Sequence, residues 1–210
     1  MTRKLAYLQN NSGAGPGVRS RPGFLDWLGY LPKLIVFLYL SYAPASVYAE
    51  AVDIHKVQAV FLFNLAGFVT WPESTFPTET TYLTFCILGE TPTGSYLEEA
   101  IRGEEINKHP LAVNYLDGMA GVEQCQLLLL GENQASEFPE IFSKIKDLPI
   151  LTISSRTGFS SNGGMLTLSK QGGRLHPIVN LSVVEKSGLK ISSKLLRLAT
   201  IVRSGTGDGQ

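Results

Sequence analysis

The sequence predicts an α/β protein: a three-layer α/β/α sandwich around a mixed, mostly parallel sheet that ends in an antiparallel hairpin. Three observations predict it. Short, nearly continuous apolar runs of strand length recur, as in "YLTFCILG", "CQLLLLG" and "PILTIS", the pattern of strands covered on both faces. Helix-like segments alternate with them, which implies parallel pairing with helices on both sides. Late in the chain the pattern changes: "GGMLTLSKQGGRLHPIV" is two strand-like runs joined by "KQGG", a hairpin signal. A length of 210 residues, 44% of them hydrophobic and 17% charged, suits one packed domain and not a disordered chain.

Residues 1–49 form an N-terminal extension that carries a secretory signal. Basic residues up to Lys33 precede the apolar run "LIVFLYL"; Pro44 and the small-residue site "VYA" follow. This is the pattern of an exported, cleaved segment, with cleavage after Ala49. The basic region is long, so the true start codon lies open. The alternative is a retained anchor, against which the apolar run is short, since a spanning helix needs roughly 20 residues. Five of the 18 basic residues and one of the 18 acidic ones lie in this extension, which leaves the remainder near −4. A mildly acidic chain of this kind argues against a nucleic-acid partner. Residues 50–203 are expected as a single α/β domain and residues 204–210 as a disordered tail.

The domain opens with "VDIHKVQAVFLFNLAGFVTWPES". Asp53 caps a helix whose apolar residues run most of the way round, from Ile54 to Val69, and which stops at Trp71–Pro72. "YLTFCILG" is a central strand. "TGSYLEEAIRG" is a helix, with Thr93 or Ser95 as cap and Gly103 at its end. "LAVNYL" and "CQLLLLG" are strands, "SEFPEIFSKIKDL" is a helix capped by Ser136, and "PILTIS" is another buried strand. After the hairpin, Asn180 caps a short helix, "LSVVEKSG", and an apolar stripe over "LKISSKLLRLATIV" closes the domain. This stripe reads as core, or as a helix face toward a partner.

The stretch "GFSSNGGMLTL" crowds glycine, serine and asparagine as phosphate loops and serine sites do. It is not a dinucleotide fingerprint, because its paired glycines precede a strand, whereas phosphate loops follow a strand and open a helix. Neither Ser160 nor Ser161 has glycines at both −2 and +2, so it is not a nucleophile elbow. A tight loop that needs positive φ at Gly163 or Gly164 is the expectation. His55, His109 and His176 are isolated in sequence; no zinc spacing exists, and no metal or cofactor is expected. Cys86 and Cys125 are a disulfide candidate if the chain is exported, or two buried thiols on neighbouring strands.

The order of "KVQAVFLFNLAGFVTWP", "FCILGETPTG", "CQLLLLG", "PILTIS", "GFSSNGGMLTL", "GRLHPIVN" and "GLKISSKLLRLA" resembles the YfiR/HmsC family of periplasmic proteins, from about Val52 to Ile201. The resemblance implies a small periplasmic α/β domain without catalysis. Members bind the periplasmic part of an inner-membrane diguanylate cyclase, restraining cyclic-di-GMP synthesis and with it exopolysaccharide and biofilm. A sensor kinase is the other partner considered, and a homodimer is left open. Cysteines at Cys86 and Cys125 look like those of members with a disulfide there, although Cys86 is late in its run and Cys125 early, an offset that would strain a bridge between parallel neighbours. One departure stands out: where the family has an Arg-Phe-Glu-Ile-Asn-like stretch, this chain has "HPIVN", keeping only Asn180 of the polar positions. Pro177 makes that strand an edge at this point.

The partner contact is expected on an apolar patch around Phe159, Met165, Leu175 and Ile178. A second function class is a periplasmic small-molecule binder serving a sensor or transporter, with its ligand beyond the carboxyl ends of the strands, near Gly89–Gly94 and Ser154–Gly158. An enzyme would require His176 to meet a serine.

Overall fold

A computed structural model describes residues 53–203. The export segment, its cleavage site and the tail therefore lie outside the described residues. Asp53 accepts the backbone N–H of His55 at 2.9 Å and caps α1, Ile54–Ala66. The helix ends earlier than its apolar pattern predicts. The Gly67 N–H closes it on the Asn64 carbonyl, and Val69–Thr70 form a short strand, β1. Two consecutive β-branched residues favour that extended state.

The chain continues through β2 (Leu83–Leu88), α2 (Thr93–Ile101), β3 (Glu105–Ile106), β4 (His109–Leu116), β5 (Leu127–Leu130), α3 (Phe138–Ile145) and β6 (Leu151–Ser154). Then come β7 (Leu166–Gln171), β8 (Arg174–Asn180), α4 (Leu181–Lys186), β9 (Lys190–Ile191), α5 (Ser193–Leu196) and β10 (Thr200–Val202). Eight strands make one sheet in the order β10-β8-β7-β6-β5-β2-β4-β3. β4, β2, β5, β6 and β7 are parallel; β8 runs antiparallel to β7, and β3 antiparallel to β4. The mixed, mostly parallel α/β architecture is thus as expected, with a separate antiparallel ribbon of β1 and β9 beside it.

Strand residues alternate between two cores. Phe85, Ile87, Leu127, Leu129, Leu151 and Ile153 face the cluster built with α1 and α2. Cys86, Leu88, Leu128 and Leu130 face the cluster built on α3 through Phe138, Ile141 and Ile145. The three-layer arrangement follows from this two-sided burial.

The hairpin between β7 and β8 pairs Gln171 with Arg174. Its two loop residues, Gly172 and Gly173, have φ of 55° and 77°, the backbone a two-residue turn between twisted strands requires. A second tight hairpin joins β3 to β4 through Asn107 and Lys108, both at positive φ. The caps differ from expectation in two helices. Thr93 turns inward to the core and leaves α2 without a side-chain cap, and Glu137, not Ser136, precedes α3. The C-terminal stripe is broken into β9, one helical turn and β10. β10 adds in parallel beside β8, starting at Ile178, one residue past Pro177, so the strand is an edge at the proline.

Candidate functional site

The strand order reverses direction at β2. From β2 the chain crosses through α2 to β4 on one side; from β5 it crosses through α3 to β6 on the other. The loops that leave β2 and β5 therefore diverge, and a crevice opens beyond the carboxyl ends of the strands, where open α/β sheets hold ligands. A cavity of about 260 Å³ lies there. The β2–α2 loop contributes Glu90–Thr93, the β5–α3 loop Gly131–Asn133, β6 is followed by Ser155, and α1 roofs the cavity with His55, Gln58 and Leu62. Two of these segments are those read from the strand–helix alternation.

The rim is held by close backbone packing. Asn133 Oδ1 accepts the Glu90 N–H at 3.1 Å and ties the two diverging loops together. A Cβ at Gly131 would sit 2.6 Å from the Glu90 carbonyl oxygen, so only glycine admits this approach. Across the loops, Ser155 Oγ donates to Glu132 Oε1 at 3.0 Å.

The wall toward α1 is polar and buried. Thr93 Oγ1 donates to Gln58 Oε1 at 2.9 Å, and His55 Nδ1 lies 3.2 Å from the same oxygen. Both groups meet at one oxygen, and His55 Nδ1 donates to it in the Nδ1–H tautomer. Asp53, one residue outside α1, also accepts the Tyr96 hydroxyl at 2.6 Å. That hydrogen bond, with the His55 backbone N–H, holds the Asp53 carboxyl below its usual 3.8. Gln58 and Thr93 were not singled out as binding residues from the sequence. The one available signal is a glutamine three residues after a histidine inside a mostly apolar helix.

The four residues expected to form a contact patch do not share a surface. Phe159 is buried among Phe138 and Phe142, with ring centroids at 5.1 and 5.5 Å, in the α3 cluster. Met165 is buried in the other cluster. Leu175 and Ile178 are half-buried on β8; three positions apart, they project from opposite faces of the strand.

The loop residues of "GFSSNGG" divide the work. Gly163 has φ of 101°. Gly164 has an ordinary φ and is required instead by Phe159, whose Cε1 would lie 2.2 Å from an added Cβ. Ser160 is wholly engaged in structure: its Oγ donates to the Ile178 carbonyl at 2.9 Å and meets Thr167 Oγ1 at 2.7 Å. Asn180, fully buried, donates from Nδ2 to the Ser160 carbonyl at 2.7 Å and accepts the Val183 N–H as cap of α4.

The remaining histidines are apart. His109 stacks on Phe76 at 4.1 Å and meets the Thr81 carbonyl at 3.0 Å. His176 Nε2 meets Thr200 Oγ1 at 2.8 Å, between β8 and β10. Among the described residues, no three His, Cys, Asp or Glu side chains gather where they could hold a metal.

Cys86 and Cys125 form a disulfide, with Cα atoms 5.7 Å apart. The expected offset problem is resolved by the backbone. The register sets Cys86 opposite Leu128, but Cys125 is not a strand residue: it ends a 3₁₀ turn, Val122–Gln124, and reaches back to β2.

One surface is apolar and open. Val57, Val60, Phe61 and Phe68 line a groove on the outer side of α1, with Leu195 of α5. Its polar member, Asn64, donates from Nδ2 to the Val60 carbonyl at 2.7 Å.

The sequence of this domain coincides with that of a known family. The sequence profile of YfiR/HmsC-like proteins matches residues 55–200, from the first turn of α1 to the first residue of β10. That is well over half of the chain, and the protein therefore belongs to the YfiR/HmsC-like family.

Proposed function

We propose that the protein is a non-catalytic periplasmic regulator that binds the periplasmic part of an inner-membrane diguanylate cyclase and restrains cyclic-di-GMP synthesis. Family membership carries this reading. The Cys86–Cys125 disulfide suits an oxidising compartment. Ser160, the serine nearest to a motif, is committed to structural hydrogen bonds. The groove on α1 supplies apolar surface of the kind partners cover, with Val60 49% exposed.

The test is co-purification with the periplasmic domain of a cyclase encoded nearby, together with cyclic-di-GMP measured after deletion. Deletion is expected to raise cyclic-di-GMP, and Val60→Glu to abolish co-purification without loss of folding. No capture of any cyclase domain, together with unchanged cyclic-di-GMP, sinks the proposal.

The crevice favours a second reading: a small-molecule binder that serves a sensor kinase or transporter. A cavity at the switch point with a buried polar wall is where such a ligand would sit. A thermal-shift screen of metabolites without a single hit would weigh against it.

A further inference from the structure

The crevice has a defined chemistry, and the inference below rests on the small-molecule reading. Glu90 and Glu132 stand on its two diverging loops, and among the described residues neither lysine nor arginine lines it. A phosphate or carboxylate ligand would meet like charge on both loops. The amino end of α2 opposes this by only about half a charge. The floor is apolar, with Leu62, Leu129 and Leu168.

Gln58 adds a polar group to the wall. The residue is nine-tenths buried and lines the cavity. Its Oε1 is taken by Thr93 and His55, while Nε2 has no hydrogen bond among the described residues. That amide N–H is therefore available to an acceptor in a ligand that fills the space.

We infer that the crevice binds a small organic ammonium ion that carries an apolar body and a carbonyl or hydroxyl oxygen. Glu90 and Glu132 receive the ammonium, Gln58 Nε2 donates to the oxygen, and the leucines take the body. At about 260 Å³ the cavity lies at the small end of ligand sites, roughly 300–1,000 Å³, so the ligand is small.

Calorimetric titration of the disulfide-bonded protein with three probes of similar shape separates these parts. L-leucinamide has the ammonium, the carbonyl and the branched body. 4-Methylpentanamide lacks the ammonium, and L-leucine adds a carboxylate. Leucinamide is expected to bind about tenfold or more tightly than either. Glu90→Gln with Glu132→Gln is expected to remove that advantage while the melting temperature holds. The Gln58 side-chain amide resonances are expected to move with leucinamide.

Equal binding of leucinamide and 4-methylpentanamide, or indifference to the double substitution, overturns the ammonium assignment. Preferred binding of leucine or of inorganic phosphate also overturns the ligand class, yet leaves a small-molecule site standing. No binding of any probe at millimolar concentration overturns both.

Discussion

Replacing Gly164 with alanine tests the packing of the loop ahead of β7 most directly. The backbone there does not need glycine's conformational freedom, since the φ of Gly164 is not among the positive ones. The obstacle is one side chain: an added Cβ would lie 2.2, 2.4 and 2.5 Å from Cε1, Cδ1 and Cζ of Phe159. Carbon atoms settle at about 3.5–4.0 Å, so the ring must retreat by more than about 1 Å. It has nowhere to go, because it is 2% exposed and Phe138 and Phe142 meet it at interplanar angles of 79° and 64°. Overpacking of this kind costs about 1–3 kcal/mol, and so steep a clash belongs near the top of that range. At roughly 2–4 °C per kcal/mol for a domain of this size, Gly164→Ala should melt about 5–10 °C lower. Urea denaturation monitored by circular dichroism measures it. Phe159→Leu alone should cost about 1–2 kcal/mol, and the double variant should lose at least about 1 kcal/mol less than the sum of the two. Gly172→Ala is the control: its Cβ meets nothing within 4 Å, and φ is 55°, so the cost is about 1 kcal/mol of backbone strain. A Gly164→Ala protein as stable as the parent, or strict additivity with Phe159→Leu, would refute the wedged ring.

Three further outcomes are expected. Cys86→Ser should lower stability by about 4 kcal/mol in the loop-entropy account, for a separation of 39 residues, and only under oxidising conditions; equal unfolding midpoints with and without reductant contradict this. Asn180→Ala should cost about 2–3 kcal/mol, because it strips the cap of α4 and orphans the buried Ser160 carbonyl; a loss under about 0.5 kcal/mol speaks against the network. The Asp53 carboxyl is depressed by the Tyr96 hydroxyl and the His55 N–H, so whatever it contributes to the start of α1 is present above the unfolded pKa and is lost as pH falls through the lower folded value. An NMR titration should place its midpoint below 3.8, and Tyr96→Phe should bring it back up; an unmoved midpoint in that variant removes the hydroxyl as the cause.

The central strands were legible because burial on both faces leaves no ambiguity: "LLLL" becomes β5, and "LTIS" β6. The "KQGG" turn was legible because Gly172 and Gly173 supply the backbone it needs. Failures came where partners distant in sequence decide. Val69 and Thr70 continue a helical pattern, yet β9, more than a hundred residues later, draws them into a ribbon. The stripe from Leu189 to Ile201 fits a helix, yet β8 recruits its end as a strand. The hairpin through Asn107 and Lys108 contains no glycine to announce it. At the candidate site, a crevice beyond the carboxyl ends of the strands followed from alternation, while the divergence of the loops needed the strand order. Gln58 could not be read, because only the fold turns it from a helix surface into a cavity wall. Phe159 was misplaced for a local reason: an aromatic residue among glycines looks the same in sequence whether the glycines expose it or make room for it.

The β1–β9 ribbon also sets an order of events. Val69 and Thr70 pair with Ile191 and Lys190, and the Ser192 N–H donates to the Phe68 carbonyl at 2.8 Å. The same late segment places Leu189 and Leu195 in the cluster that contains Leu62 and Leu65 of α1. A chain emerging amino end first must therefore hold α1 unclasped until the segment around Lys190 has arrived. Contacts between segments so far apart in sequence form slowly, so α1 is made early and secured late. A chain cut short before Leu189 would carry every central strand and still have no latch.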